Sequence, residues 1–150
     1  MARMRTAFLT RAVRFSAAHR YFRPDWSEDE NRRVFGPCAN PVGHGHDYVL
    51  EVTVRGPVDP RTGFSADLGA LDALLHREVR LPLDHQHVNH AIPEFAFGAA
   101  IPTCENLAAW LWDRIVPGLP GGVRLHRLRL REGSGLWADY YGEETTADAG

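Results

Sequence analysis

Apolar and polar positions first alternate loosely from Thr6 to Ala18, where Phe8, Val13, Phe15 and Ala17 are interleaved with Arg14 and Ser16, and this period of two predicts a strand. From Arg20 to Gly45 the pattern dissolves into Pro24, Asp25, Ser27, Glu28, Asp29, Glu30 and the pair Gly36-Pro37, which reads as a long loop. A second strand is predicted over Asp47 to Arg55, with Tyr48, Leu50, Val52 and Val54 on one face and Val49, Glu51 and Thr53 on the other. Turn chemistry fills Gly56 to Gly63.

The period then changes. Asp67 caps a helix whose apolar face is Leu68, Leu71, Leu74, Leu75 and Val79, and Pro82 is expected to stop it. A loop rich in histidine leads to Thr103, the N-cap of a second helix with Leu107, Trp110, Leu111 and Ile115, ended by Pro117-Gly118. A hairpin follows, from Val123 to Glu132, through Gly133-Ser134-Gly135, and on through Leu136, Trp137 and Tyr140. The order β-β-α-α-β-β predicts an α+β fold, a four-stranded antiparallel sheet with two helices on one face. No repeat or linker divides the chain, so residues 1–143 read as one domain and 144–150 as a disordered tail.

Composition narrows the class. In 150 residues, 44% are hydrophobic and 24% charged, and the net charge of −2 excludes a strongly basic nucleic-acid binder. No apolar run approaches the ~18 residues of a membrane span, and the N-terminus lacks the apolar core of a signal peptide. Cys38 and Cys104 are too few for a disulfide framework, and the chain reads as cytoplasmic. All 17 basic residues are arginine, so any fixed cation in a site must be arginine or a metal.

The sharpest local signal is His44-Gly45-His46 opening the second strand, because i and i+2 on a strand reach toward one ion. His19 closes the first strand, and antiparallel pairing would bring it beside them. Three histidines with an open fourth position is a catalytic zinc pattern; surface or packed histidines are the plainer alternative. Cys38 reads as a fourth zinc ligand, as a nucleophile or base beside the metal, or as a small buried apolar residue. Asp84-His85 suits an acid–base pair only in a loop, or with each side chain turned toward a common third group. Glu132 is either a solvated strand residue or a pocket carboxylate for a guanidine-like ring edge. Thr103 and Glu105 are most economically an N-cap and a first-turn carboxylate. His76, His87, His90 and His126 read as solvated or packed.

Six segments in order resemble the family of 6-pyruvoyltetrahydropterin synthases, which also contains the 6-carboxytetrahydropterin synthases of queuosine and deazapurine biosynthesis. They are F-S-A-A-H (Phe15 to His19), C-A-N-P-V-G-H-G-H-D-Y (Cys38 to Tyr48), V-D-P-R-T-G (Val58 to Gly63), L-D-H-x-x-x-N (Leu83 to Asn89), P-T-C-E-N (Pro102 to Asn106) and the glutamate-glycine of the last hairpin. The resemblance implies the tunnelling fold, with sheets joined into a barrel in a homohexamer of two trimers. It implies zinc on His19, His44 and His46, catalysis by Cys38 with Asp84 and His85 of a neighbouring protomer, and pterin binding by Glu132 with Thr103, Cys104 and Glu105. The implied reaction eliminates triphosphate from 7,8-dihydroneopterin triphosphate. Five residues between Cys38 and His44, and the stretch Ser27 to Cys38, resemble the pyruvoyl branch; the alternative releases acetaldehyde and leaves 6-carboxytetrahydropterin. Cys104 departs from the threonine or serine usual in relatives. A non-catalytic zinc and pterin-binding oligomer is the remaining alternative, in which Cys38 would be dispensable.

Overall fold

The computed structural model describes residues 3–144, so the tail expected to be disordered lies, beyond Glu144, outside the described residues. Two 14-residue strands, β1 (Thr6–His19) and β2 (His44–Pro57), run antiparallel in unbroken register from Thr6 opposite Pro57 to His19 opposite His44. The predicted hairpin is present as β4 (Arg124–Glu132) and β5 (Leu136–Tyr140), and β4 pairs with β2 so that Glu132 stands opposite Tyr48.

The α+β class holds, but the sheet is not four antiparallel strands. It has five strands in the order β3-β1-β2-β4-β5, and the extra one, β3 (Gln86–His87), pairs parallel to β1 at Ala17 and Ala18. Two residues carry no period, which is why no pattern marked it. Their pairing is imposed by the preceding turn, where the His85 N–H donates to the Ser16 carbonyl and the Ser16 N–H to Asp84 Oδ1.

A second correction concerns the long loop, which contains a helix, α1 (Glu28–Phe35). The Ser27 side chain accepts from the Glu30 N–H, three acidic residues fill the first turn, and Arg32 and Arg33 end it. Ser27-x-x-Glu30 is the spacing of a capping box, and that was the available signal. Asn31, buried, then closes the segment on itself, accepting from the Arg23 N–H and donating to the Arg23 and Ser27 carbonyls.

The third correction is at Pro82, which does not stop its helix. After α2 (Leu68–Leu75) the chain widens into a π turn, His76–Arg80, and re-enters α3 (Leu81–Leu83) with Pro82 inside it. Proline has no N–H for the carbonyl four residues back and collides with it in a tight turn. The wider turn relieves the collision, and Arg114 Nε donates to that carbonyl, Glu78 O, at 3.3 Å.

A one-turn helix, α4 (Val88–Ala91), and the 12-residue α5 (Cys104–Ile115) complete the order. Leu71, Leu74 and Leu75 of α2 and Leu107, Ala108, Leu111 and Ile115 of α5 pack on Phe15, Leu50, Val52, Val54, Leu128 and Leu130 of the sheet. The opposite sheet face carries polar pairs instead: Thr10 with Thr53, Glu51 with Arg131, and Asp139 with Arg129. Among the described residues no helix is long and apolar enough to cross a membrane.

Candidate metal centre and active site

Register builds the site. Directly opposed residues of an antiparallel pair, and residues two apart on one strand, share a face. His19 opposite His44, then His46 and Tyr48, then Glu132 opposite Tyr48, therefore converge at one end of the sheet. One ligand atom from each of His19, His44, His46 and Glu132 falls within 4.8 Å of the other three. The Nε2 atoms of His19 and His44 are 3.3 Å apart, close to the spacing of about 3.4 Å that tetrahedral bonds of ~2.05 Å to one ion require.

The donor set is prepared for a cation. His19 is fully buried, and burial together with the neighbouring His44 and His46 lowers its pKa to about 3, so its imidazole is neutral. Its Nδ1 lies 2.8 Å from the Tyr48 hydroxyl, which can accept a hydrogen bond from the Nδ1–H tautomer and so leave the Nε2 lone pair free. Burial likewise lowers the pKa of His44. His46 Nε2 is buried without a hydrogen-bond partner, although Glu132 Oε1 is 2.9 Å away. A lone pair at that position is suited to a metal rather than to a protein donor.

Backbone contacts hold this end together. Gly43, at φ +73°, precedes His44, and a Cβ there would come within 2.6 Å of the His19 carbonyl, so only glycine lets β2 begin beside the end of β1. Cys38 sits in a single turn of 3₁₀ helix, Gly36–Ala39, tied to the residues after His19: the Tyr21 N–H donates to the Cys38 carbonyl and Arg20 Nε to Ala39 O. These bonds set Cys38 Sγ 3.8 Å from His44 Nε2. Burial, and then the charge of Glu132, raise its pKa.

Cys104 opens α5 and is buried, with Sγ 3.4 Å from Glu132 Oε2. Thr103 is the N-cap, its hydroxyl accepting from the Asn106 N–H, and Glu105 lies exposed in the first turn. Asp84 and His85 meet each other in a turn, with His85 at φ +61° and its Nδ1 3.1 Å from Asp84 Oδ2. They do not meet Cys38: among the described residues no hydrogen bond joins either to it. His85 is exposed and lines a depression of about 450 Å³ with Ser16, Ala18 and Asp47.

Tyr48, Asn89 and the His46–Glu132 contact escaped the sequence. Tyr48 reads there as one more apolar strand position, although its place two residues beyond His46 puts it on the histidine face. Asn89 accepts from the Arg20 N–H and donates to Phe95 O, which fixes the chain just past His19. Of the remaining histidines, His76 and His90 are exposed, His87 stacks on His90, and His126 packs edge-on to Phe8.

Asp84 carries a pH prediction. Its carboxylate accepts from the Ser16 N–H, Arg80 and His85, which lower its pKa from 3.8 to about 2. A depressed folded pKa stabilises the fold above the unfolded value and loses that contribution as pH falls through the folded one. The Tm of the wild type should therefore fall more steeply than that of Asp84→Asn between pH 3.8 and about 2, and parallel curves would refute the pairing.

Three comparisons bear on this geometry. A family model described as 6-pyruvoyl tetrahydropterin synthase matches residues 8–143. The chain is 39% identical over 139 residues to a 6-pyruvoyl tetrahydrobiopterin synthase of Poecilia reticulata, covering 93% of this chain and 92% of the relative. The Homo sapiens protein of the same name is 38% identical over 137 residues, with 91% and 92% covered. The solved structure of Caenorhabditis elegans 6-pyruvoyl tetrahydropterin synthase superimposes with a TM-score of 0.85 at 31% identity, over 95% of this chain and 100% of that one. Matched from the first strand through the hairpin that carries Glu132, this chain belongs to the 6-pyruvoyl tetrahydropterin synthase family.

Proposed function

We propose that this protein is a zinc-dependent 6-pyruvoyltetrahydropterin synthase, converting 7,8-dihydroneopterin triphosphate to 6-pyruvoyltetrahydropterin and triphosphate. The observation that carries the reading is the meeting of three imidazole donors with a thiol and a carboxylate at one end of the sheet, in a chain of this family. Residues 1–143 act as one catalytic domain. Two free thiols suit a reducing, cytoplasmic location.

The reaction needs no external oxidant. One side-chain carbinol becomes a carbonyl as the ring gains two hydrogens. The second does so when the C–O bond to triphosphate breaks, its electron pair leaving on the phosphate, and the resulting enol tautomerises to a carbonyl and a terminal methyl group. A zinc ion at His19, His44 and His46 supplies positive charge that polarises the side-chain oxygens and acidifies the adjoining C–H bonds. Glu132 holds the N3 and 2-amino edge of the pterin, with Thr103, Cys104 and Glu105 beside it, and this fixes the side chain over the histidines. Cys38 Sγ takes and returns protons at the side-chain carbons.

His85 is the proton partner of Cys38, and Asp84 orients its imidazole. Within one chain no hydrogen bond among the described residues joins the pair to Cys38, and in this reading it acts on the thiol of a neighbouring protomer in a homohexamer of two trimers. Zinc-loaded protein incubated with 7,8-dihydroneopterin triphosphate, without a reductase, should release triphosphate and the pyruvoyl product by mass spectrometry. Carboxypterin with acetaldehyde would refute the pyruvoyl assignment, and no turnover would refute the enzyme reading.

A further inference from the structure

Glu132 is surrounded by groups that do not neutralise it. Its side chain is only 8% exposed, and its partners are His46 Nε2 at 2.9 Å and the Cys104 thiol at 3.4 Å. Cys104, like Cys38 and Tyr48 nearby, ionises only to an anion and offers no positive charge. Among the described residues no arginine pairs with Glu132. A buried carboxylate without a countercharge is costly. The missing charge has an obvious place, because Oε1 approaches His46 Nε2 with no hydrogen bond between them, as two ligands of one ion do.

We propose that Glu132 is the fourth ligand of the metal in the substrate-free protein and leaves it when a pterin binds, turning from the ion to the ring edge. The inference rests on the pterin-binding reading above and adds a resting state to it. With Glu132 in place the site is closed by four protein ligands; with Glu132 on the pterin a position opens for substrate oxygens. Cys104 permits the exchange, because a thiol is a weak donor and does not lock Oε2. Cys38 is the competing fourth ligand, but its sulfur lies outside the four-atom group, at 3.8 Å from His44 Nε2. Metal and pterin are then coupled, each weakening the other's hold through one carboxylate.

The test uses the full chain loaded with cobalt in place of zinc, and unsubstituted pterin, a bicycle with no side chain to reach the metal. Saturating pterin should shift the visible bands of wild-type cobalt and weaken cobalt retention against a chelator. Glu132→Gln should weaken cobalt binding roughly 10- to 100-fold without pterin, the range found when groups supporting a metal site are removed, and its bands should not respond to pterin. X-ray absorption of the wild-type zinc protein, which needs no variant, should count three imidazoles and one carboxylate.

Wild-type affinity in Glu132→Gln would overturn the proposal, as would a thiolate-to-cobalt band that Cys38→Ala abolishes. Pterin that binds by fluorescence quenching yet leaves the cobalt bands unmoved overturns the exchange alone. Cobalt held through Glu132 in a protein that never binds pterin overturns the exchange and the pterin reading together.

Discussion

Alanine in place of Cys38 is expected to lower turnover of 7,8-dihydroneopterin triphosphate by about 10²–10⁴-fold, the usual worth of a positioned proton-transfer group, while zinc content stays at the wild-type level. The separation of the two effects follows from geometry. Cys38 Sγ touches His44 Nε2 at 3.8 Å but is not one of the four atoms that converge on a common point. Its turn is held by backbone bonds from Tyr21 and Arg20 that do not involve the thiol, so truncation leaves the loop and the histidines in place. Triphosphate release and metal content, measured on the same preparation, check both halves. Near wild-type turnover would remove Cys38 from the chemistry, and loss of zinc together with activity would make it a ligand.

The second large effect is expected at His19. Replacing it with alanine should abolish the stabilisation that zinc confers and also destabilise the metal-free fold by about 2–4 kcal/mol. The first part is mass action: an ion that binds only the folded state adds about 4 kcal/mol at a thousandfold excess over its Kd, and a site without one of its ligands loses most of that. The second part is local. His19 is fully buried, so the truncation leaves a cavity, and the Tyr48 hydroxyl, also buried, loses its Nδ1 partner. Urea unfolding with and without zinc reads both. A variant that still gains several kcal/mol from zinc would place the ion elsewhere.

The contrast between these residues shows what the chain announces by itself. His-x-His at the head of a strand is a local statement, since alternation alone puts His44 and His46 on one face, and the register of β1 with β2 needed only antiparallel pairing to bring His19 beside them. Long periodic elements were equally legible: both strands of the first pair, the helix faces of Leu71 to Leu75 and Leu107 to Ile115, and the last hairpin. Their burial pattern is written into every second or every third and fourth residue.

The rest depended on contacts with no sequence period. β3 is two residues long and exists because Ser16 bonds the Asp84-His85 turn. The helix at Glu28–Phe35 has few apolar residues and is defined by capping and by Asn31, a buried amide whose partners are its own loop. Pro82 is tolerated because Arg114, from a distant helix, satisfies the carbonyl that proline abandons. Glu132 is the clearest case. In the sequence it is a lone glutamate after an arginine-rich strand, but pairing with Tyr48 turns it inward, away from those arginines and onto His46. Alternation along a strand assigns a residue to a face. Which groups share that face, and hence whether a carboxylate meets arginine, a histidine lone pair or water, is decided by the strands and helices that pack beside it.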